Sequence, residues 1–255
     1  MNWIDTHTHL YLDQFKENID EVLARCDESG VNKICLPAID KNSFPSMMAL
    51  AEKRPESIFP MIGLHPCSVK ENYQEELDFI QSQLNTPERF VAVGEIGIDL
   101  YWDTTFQEQQ ISAFKKQIEW AKELDKPIVI HARNSFREIF EVLEDVNDEK
   151  LLGVLHCFTG GKKHAKKAIE LGFKLGIGGV ITFDQGLPNV IKTVDLEHLV
   201  LETDSPFLAP IPHKGETNES SYIPFIAQKV AEIKEVSLEE VAAITTENAQ
   251  KLFGI

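Results

Sequence analysis

The stretch Trp3-Ile4-Asp5-Thr6-His7-Thr8-His9 places two histidines directly after a short apolar run near the start of the chain. A doubly wound open sheet that binds a dinucleotide carries closely spaced glycines at this point, and this chain has a His-x-His sequence instead. Residues two apart on a strand point to the same face, so we expect His7 and His9 to bind one metal ion together. The stretch therefore favours a metal-binding α/β barrel over an open sheet.

Apolar, β-rich runs recur along the chain at spacings that leave room for one helix between each pair. This alternation is typical of a parallel sheet with helical crossovers. Eight such units in 255 residues predict a TIM (β/α)8 barrel, and no Ser-rich, Gly-rich or single-charge stretch divides residues 1–255 into further domains. The predicted strands are Trp3 to Asp5, Lys33 to Ala38, Ile58 to Leu64, Phe90 to Ile96, Pro127 to Ala132, Leu151 to Cys157, Phe173 to Ile181 and Leu199 to Thr203.

Four more metal-binding residue types lie at or near the ends of their own runs: Glu95, His131, His156 and Asp204. The chemistry of a TIM barrel takes place at the carboxyl ends of its strands, so we expect these residues to meet His7 and His9 there. Histidines and carboxylates gathered in one barrel mouth would be poorly satisfied without a metal. The pattern predicts a metallohydrolase.

The formal net charge of −16 argues against binding to a long stretch of nucleic acid, which normally requires a surplus of Lys and Arg. It leaves room for a short footprint, because charges beyond about 8 Å are largely screened at physiological salt and two bound cations would make the mouth locally positive by about two charges. The four cysteines form no CxxC pair, and neither a signal segment nor an apolar run of membrane-spanning length is present. We expect a cytoplasmic protein without a membrane segment, and the sequence implies no protein partner.

Six sequence blocks, in register along the chain, resemble the signatures of the TatD family of metal-dependent deoxyribonucleases. The resemblance runs from residue 2 to the terminal Asn248–Phe253 segment. It implies a TIM barrel of the amidohydrolase type, a site for one or two divalent ions, hydrolysis of DNA phosphodiester bonds, and removal of nucleotides from a 3′ end. The blocks are Asp5-Thr6-His7-Thr8-His9-Leu10, Gly63-Leu64-His65-Pro66, Gly94-Glu95-Ile96-Gly97-Ile98-Asp99, Ile130-His131-Ala132-Arg133, His156-Cys157-Phe158-Thr159-Gly160 and Leu201-Glu202-Thr203-Asp204-Ser205-Pro206.

The resemblance also implies a role for each candidate ligand. Imidazole and carboxylate ligands suit Zn, Mn or Mg, and a bridging carboxylate can hold two ions about 3.5 to 4 Å apart. We expect attack by a metal-bound hydroxide, with Glu95 and Asp204 as catalytic carboxylates and Asp204 as both ligand and general base. The implied ligands are His7 and His9 for the first metal, Glu95 as the bridge, His131 and His156 for the second metal, and Asp204 as the strand-eight carboxylate.

Two residues are expected to bind substrate. The resemblance implies a phosphate contact for His65, for which the alternative is a loop histidine bonded to backbone. The guanidinium of Arg133 suits a nonbridging phosphate oxygen, and its alternative is a salt bridge to an acidic loop residue. Asp99 and Trp102 either position a base or only order their loop. Glu202 is expected to support a ligand.

The remaining charges argue for a short DNA footprint. The sequence Lys162-Lys163-His164-Ala165-Lys166-Lys167 suits a solvated helix face slightly better than a track for nucleic acid. Many family members carry a basic residue just before the Asn218-Glu219 position, whereas this chain has Thr217. We therefore expect activity on single-stranded DNA or frayed 3′ ends rather than on long duplex.

Two other functions fit the same residues. The amidohydrolase architecture also hosts metal-dependent cleavage of amides, esters and lactones, because fold does not determine substrate. A binding protein that retains the barrel without catalysis is the second alternative, and the complete set of ligands argues against it.

Overall fold

The computed structural model describes residues 1–86, 89–146, 148 and 150–255, and its eight parallel strands form a closed barrel. The strands are β1 (Trp3–Asp5), β2 (Val31–Pro37), β3 (Ile58–Met61), β4 (Val93–Asp99), β5 (Ile128–Arg133), β6 (Gly153–Leu155), β7 (Phe173–Ile177) and β8 (Leu199–Leu201). Strands β1 to β3 pair in order, as do β4 to β8. A parallel bridge between Ile62 and Val93 joins these two groups. The amide of Thr6 donates to the carbonyl of Leu201 at 3.0 Å and closes the barrel, so the predicted TIM barrel is confirmed.

Helices lie between the strands and cover the barrel. They are α1 (Ile19–Ser29), α2 (Phe44–Lys53), α3 (Tyr73–Gln83), α4 (Gln107–Glu123), α5 (Phe136–Val146), α6 (Lys162–Glu170), α7 (Leu187–Ile191), α8 (Ile223–Lys234) and α9 (Leu238–Phe253). Helix α4 is amphipathic. Its apolar residues Phe114, Ile118 and Ala121 recur at helical spacing and are fully buried. Among the described residues, no helix is long and apolar enough to cross a membrane.

The interior of the barrel is filled by side chains that alternate with those facing the helices. Ile4 of β1, Cys35 of β2, Val129 of β5 and Val200 of β8 belong to one buried cluster that also contains Phe253 of α9. Inward and outward side chains alternate along each strand, which fills a small barrel completely. The packed interior leaves the carboxyl ends of the strands as the place for an open site.

Each predicted strand overlaps an observed one, and β1 has the predicted bounds Trp3–Asp5, so His7 and His9 lie beyond its end. Strand β1 ends at Asp5, which pairs with Ile34 of β2. The Asp5 carboxylate then accepts the amides of His7, at 3.2 Å, and Thr203, at 3.0 Å. These bonds turn the backbone toward β8, so the two histidines lie in the loop after β1. The expectation that they share a face because they lie two apart on one strand was wrong.

Candidate metal centre

A cavity of about 660 Å³ opens at the carboxyl ends of the strands. Its walls include seven of the eight residues that the sequence assigned to the site: His9, His65, Glu95, His131, Arg133, His156 and Asp204. The eighth, His7, is fully buried, and its ring stacks on that of His156 with 3.8 Å between centroids. The structure therefore brings all eight residues together.

Glu95 occupies a bulge in β4. Gly94 pairs with Val129 and Ile96 with Ile130, so the strand pairing passes over Glu95. A bulge inserts one residue and changes the direction of its side chain, which here turns into the mouth of the barrel. Burial is nearly complete, with 2% of the Glu95 side chain exposed.

One carboxylate oxygen of Glu95 faces three histidines from the strands that follow β2. Its Oε1 atom lies 2.8 Å from Nδ1 of His131, 2.7 Å from Nε2 of His156 and 3.2 Å from Nε2 of His65. The two nearest nitrogens, of His131 and His156, are themselves 3.4 Å apart.

The other oxygen of Glu95 faces the histidine pair after β1. Its Oε2 atom lies 3.2 Å from Nε2 of His7 and 3.6 Å from Nε2 of His9. Oδ1 of Asp204 completes this group, at 3.8 Å from the same nitrogen of His7 and 3.6 Å from that of His9. Glu95 thus separates two groups of nitrogen and oxygen atoms and contributes one oxygen to each.

Backbone hydrogen bonds hold the loops after β1 and β8 together. The amide of Asp204 donates to the carbonyl of His7 at 2.9 Å, and the amide of His9 donates to that of Ser205 at 2.8 Å. Asp204 has a φ of 57°, in the left-handed region that Asp tolerates better than most residues. This conformation, fixed by both loops, turns its carboxylate toward the histidines.

A tyrosine determines which nitrogen of His9 is free. The hydroxyl of Tyr11 donates its one proton to the carbonyl of Pro37 at 2.6 Å and lies 2.9 Å from Nδ1 of His9. The hydroxyl must therefore accept a proton from Nδ1, which leaves the lone pair of His9 on Nε2. That lone pair faces Glu95 and Asp204.

Asp99 plays the corresponding part for His131. Its Oδ2 atom accepts from Nε2 of His131 at 2.8 Å, so Nδ1 is the atom that faces Glu95. The other oxygen of Asp99 accepts the amides of Tyr101 at 2.9 Å and Trp102 at 3.1 Å. Asp99 therefore positions a site histidine and orders the adjoining loop at the same time.

Glu202 lies next to His156. It is fully buried, accepts the amide of Cys157, and lies with Oε1 3.5 Å from Nδ1 of His156. The carboxylate faces Nδ1 of this ring, whereas Nε2 is directed at Glu95, 2.7 Å from its Oε1 atom.

His65 differs from the other histidines in its protonation. Its Nδ1 accepts the amide of Cys67 at 3.0 Å, so the hydrogen of the neutral ring is on Nε2. Nε2 therefore carries the hydrogen, lies 3.2 Å from Oε1 of Glu95 and offers no lone pair. This arrangement favours the predicted role in substrate contact over a role as metal ligand.

Arg133 extends from the end of β5 to the cavity wall and is exposed. Its guanidinium carbon lies 3.9 Å from the ring centroid of Tyr101 and 5.1 Å from that of Trp102. Within the described part of the chain, it forms no ion pair with a carboxylate. Stacking leaves the N–H groups at the edge of the guanidinium available to a ligand.

Burial and the neighbouring charges determine the protonation of the site. Burial raises the pKa of Glu95, but the charges of His156, His65 and His7 outweigh it and hold that pKa well below its usual range. Burial lowers the pKa of His7 to about 4. Burial raises the pKa of Asp204 to about 8. The charge of His156 lowers this pKa, and the charges of Glu95 and Glu202 raise it. At neutral pH, Glu95 and His7 already have the charge states that bind a metal.

The donor atoms fit a divalent cation. Nε2 of His7 and Oε2 of Glu95 are buried without a hydrogen-bond partner among the described residues and lie 3.2 Å apart. Leaving such atoms unpaired is costly, and a cation between them would satisfy them. Ligand atoms about 2.1 Å from an ion lie about 3.4 Å apart in a tetrahedral site. The separations of 3.2 to 3.8 Å around His7 and His9 bracket that distance.

Sequence reasoning missed Tyr11 and left the role of Asp99 open. Asp99 lies four residues after Glu95, at the carboxyl end of the same strand, and that position was a usable signal. Tyr11 had no comparable signal, because its contact with Pro37 depends on how the loop after β1 crosses the end of β2.

Comparison with known proteins identifies the family. A family model described as TatD related DNase matches residues 4–254. The chain is 36% identical over 253 residues to YabD of Bacillus subtilis, named an uncharacterized metal-dependent hydrolase, with 98% of each chain covered. It is 33% identical to YcfH of Escherichia coli, which has the same description, over 99% of this chain and 96% of that protein. The crystal structure of YJJV, a TatD homolog from E. coli, matches with a TM-score of 0.93 at 30% identity, covering 99% of this chain and 98% of the other. This chain therefore belongs to the TatD family of metal-dependent hydrolases.

Proposed function

We propose that this protein hydrolyses phosphodiester bonds in DNA and removes nucleotides from single-stranded or frayed 3′ ends. The observation that carries the proposal is the position of Glu95, whose two oxygens face separate groups of histidines. A carboxylate placed in this way suits two divalent ions that act together on one phosphate. The proposal includes one hydrolase domain over residues 1–255 and a cytoplasmic location.

The two groups of donor atoms define the proposed ligands. Divalent ions, Mg, Mn or Zn, would supply Lewis acidity at a phosphoryl oxygen and an activated water as nucleophile. We assign one ion to Oε1 of Glu95 with Nδ1 of His131 and Nε2 of His156. The other would be held by Oε2 of Glu95, Oδ1 of Asp204, and Nε2 of both His7 and His9.

Asp204 is the carboxylate best placed to accept a proton. It forms part of the cavity wall, and 14% of its side chain is exposed compared with 2% for Glu95. A proton accepted by Asp204 can pass to solvent through the open mouth, whereas one on Glu95 would be trapped among the histidines. Asp204 therefore combines the roles of ligand and general base in this proposal.

The two substrate residues complete the site. His65 carries a hydrogen on Nε2, 3.2 Å from the Glu95 oxygen that faces His131, and its side chain lines the cavity. Arg133 presents the edge of its guanidinium to the cavity. Together they offer hydrogen-bond donors to a single phosphate, which agrees with a short footprint on a protein of net charge −16.

The test is hydrolysis by the metal-loaded protein of a single-stranded oligonucleotide labelled at its 5′ end, beside a carboxylic ester, a lactone and an amide. We expect nucleotides to be removed stepwise from the 3′ end. In Glu95→Ala, the rate of hydrolysis should fall by at least about a thousandfold. Glu141→Ala, an exposed carboxylate of α5 outside the cavity, is the matched control. Faster turnover of the ester, lactone or amide would replace the proposal with the amidohydrolase alternative. Absence of all turnover in protein with bound metal would favour a binding protein.

A further inference from the structure

The mouth of the cavity carries exposed apolar side chains above a charged floor. Trp102, Phe207 and Leu208 line the cavity with 68%, 48% and 42% of their surface exposed, and Tyr101 beside them is 53% exposed. Single exposed apolar residues are common, but a group that borders a polar cavity marks a binding surface. These side chains therefore point to a ligand with an apolar part next to its charged part.

The two main rings lie on opposite sides of the opening. Trp102 follows β4 and Phe207 follows β8, and these strands are four positions apart in a closed barrel of eight. A ligand whose charged group reaches Glu95 at the floor must pass between the two loops. A flat ring attached to the charged group of the ligand could therefore stack on Trp102 on one side of the opening or on Phe207 on the other.

Both loops are held in place by contacts to the site. The amide of Trp102 donates to Asp99, which also contacts His131. On the other side, Nδ2 of Asn218 donates to the carbonyls of Thr203 at 2.7 Å and Phe207 at 2.6 Å. The aromatic rings are thus attached to backbone whose position is fixed relative to the histidines, which lowers the entropic cost of binding.

We propose that Trp102 and Phe207 form a stacking site for the nucleobase next to the phosphate that is cleaved, with Arg133 between that base and the phosphate oxygens. The inference rests on the proposed function and names the part of the substrate that the mouth recognises. Arg133 already stacks on Tyr101, so the same surface offers a planar cation and planar rings to a base. Stacking is tolerant of sequence, because every base has a π-face.

The first test measures preference for a base at the 3′ end. Two oligonucleotides are compared, one ending in an ordinary nucleotide and one ending in an abasic tetrahydrofuran residue. Loss of one stacked base corresponds to roughly a ten- to hundredfold effect, so we expect wild type to prefer the ordinary end by that factor in kcat/KM. Trp102→Ala and Phe207→Ala should each reduce this preference, and Trp102→Phe should restore most of it. Phe225→Ala, an exposed aromatic outside the cavity, should keep the wild-type ratio.

A second test does not depend on cleavage. Binding of 2-aminopurine deoxyribonucleoside monophosphate to metal-loaded protein is followed by its fluorescence, which stacking quenches. We expect quenching by wild type and Phe225→Ala, and weaker quenching by Trp102→Ala. Quenching without any DNA hydrolysis would overturn the proposed function and leave the stacking site intact. Hydrolysis with equal rates on both oligonucleotides, or quenching unchanged in Trp102→Ala, would overturn the stacking site.

Discussion

At the scale of single residues, the site depends on contacts that select the free nitrogen of each histidine. Tyr11 leaves Nε2 of His9 unprotonated, whereas Asp99 leaves Nδ1 of His131 facing Glu95. Residues that support metal ligands in this way typically change metal affinity by about ten- to a hundredfold when they are removed. The hydroxyl of Tyr11 is thus as much a part of the proposed centre as the ring that it orients.

The prediction for Tyr11→Phe follows from that geometry. The ring remains, but Nδ1 of His9 loses its acceptor, so we expect metal affinity to fall by about tenfold or more. Tyr73→Phe, at the start of α3, is the control. Isothermal titration of metal-free protein with Zn or Mn measures the change, and equal affinities for both variants would rule out the orienting role.

The pH dependence of metal uptake is a second prediction at this scale. Burial lowers the pKa of His156, but Glu95 and Glu202 raise it well above its usual value, so this ring holds a proton at neutral pH when no ion is bound. Burial raises the pKa of Asp204 to about 8, with the same consequence. Metal binding must expel these protons, so affinity should increase with pH between about 6 and about 8, with proton release visible in buffers of different ionisation enthalpy. An affinity that is flat over this range would contradict the assignment.

At the scale of elements, β4 and β5 hold the centre of the site. Two residues after the bulge at Glu95, the backbone of Gly97 in β4 lies close to the backbone of His131 in β5. Gly97 has a φ of 143°, and a Cβ there would lie 2.1 Å from the carbonyl oxygen of His131. Only glycine fits this position, and its absence of a side chain keeps the carboxylate of one strand close to the histidine of the next.

We predict that Gly97→Ala lowers the free energy of unfolding by at least about 3 kcal/mol, because backbone strain adds to a clash with a buried carbonyl. Gly161→Ala is the control. An added Cβ there meets open space, and the change at this helix N-cap should cost less than about 1 kcal/mol. Denaturant unfolding with chelator present measures both variants, and similar losses in the two would contradict the steric argument.

At the scale of the whole molecule, the acidic surface limits how DNA can be held. Two lysines of α6 form ion pairs with carboxylates: Lys166 lies 3.6 Å from Glu170, and Lys167 pairs with Glu144. These pairs support the interpretation of that helix as a solvated face. Positive charge for substrate then comes from Arg133 and bound cations.

Salt dependence tests this distribution of charge. We expect single-stranded DNA to bind with a slope of log affinity against log salt of about −1 to −2, since few counterions are released. Arg133→Ala should make the slope shallower by about 0.7, whereas Lys163→Ala should leave it unchanged. Binding is measured in the Glu95→Gln background after its metal content is checked. A slope steeper than about −4 would require an extended basic track and would end the short-footprint model.

The sequence was sufficient for the architecture and for the residues that meet in the mouth. Apolar runs of strand length predict strands without any tertiary information, and residues just beyond them must gather at one end of a parallel barrel. The sequence was not sufficient to predict the bulge at Glu95 or the tautomer of His9. Both depend on a neighbour that is distant in the chain, Val129 or Ile130 across from β4 and Pro37 of β2. The path of the loop that carries His7 and His9 has the same cause, because Asp5 bonds to Thr203.

The central claim is that Glu95 joins two metal sites that act on one phosphodiester. The most direct measurement adds metal stepwise to metal-free protein and follows both bound metal and the single-turnover rate on a short single-stranded oligonucleotide. We predict that binding saturates near two ions per chain and that the rate rises mainly with the second. In Glu95→Ala, bound metal should fall below about one ion per chain, with hydrolysis lost. A full rate at one equivalent, or wild-type turnover in Glu95→Ala with metal still bound, would contradict the account.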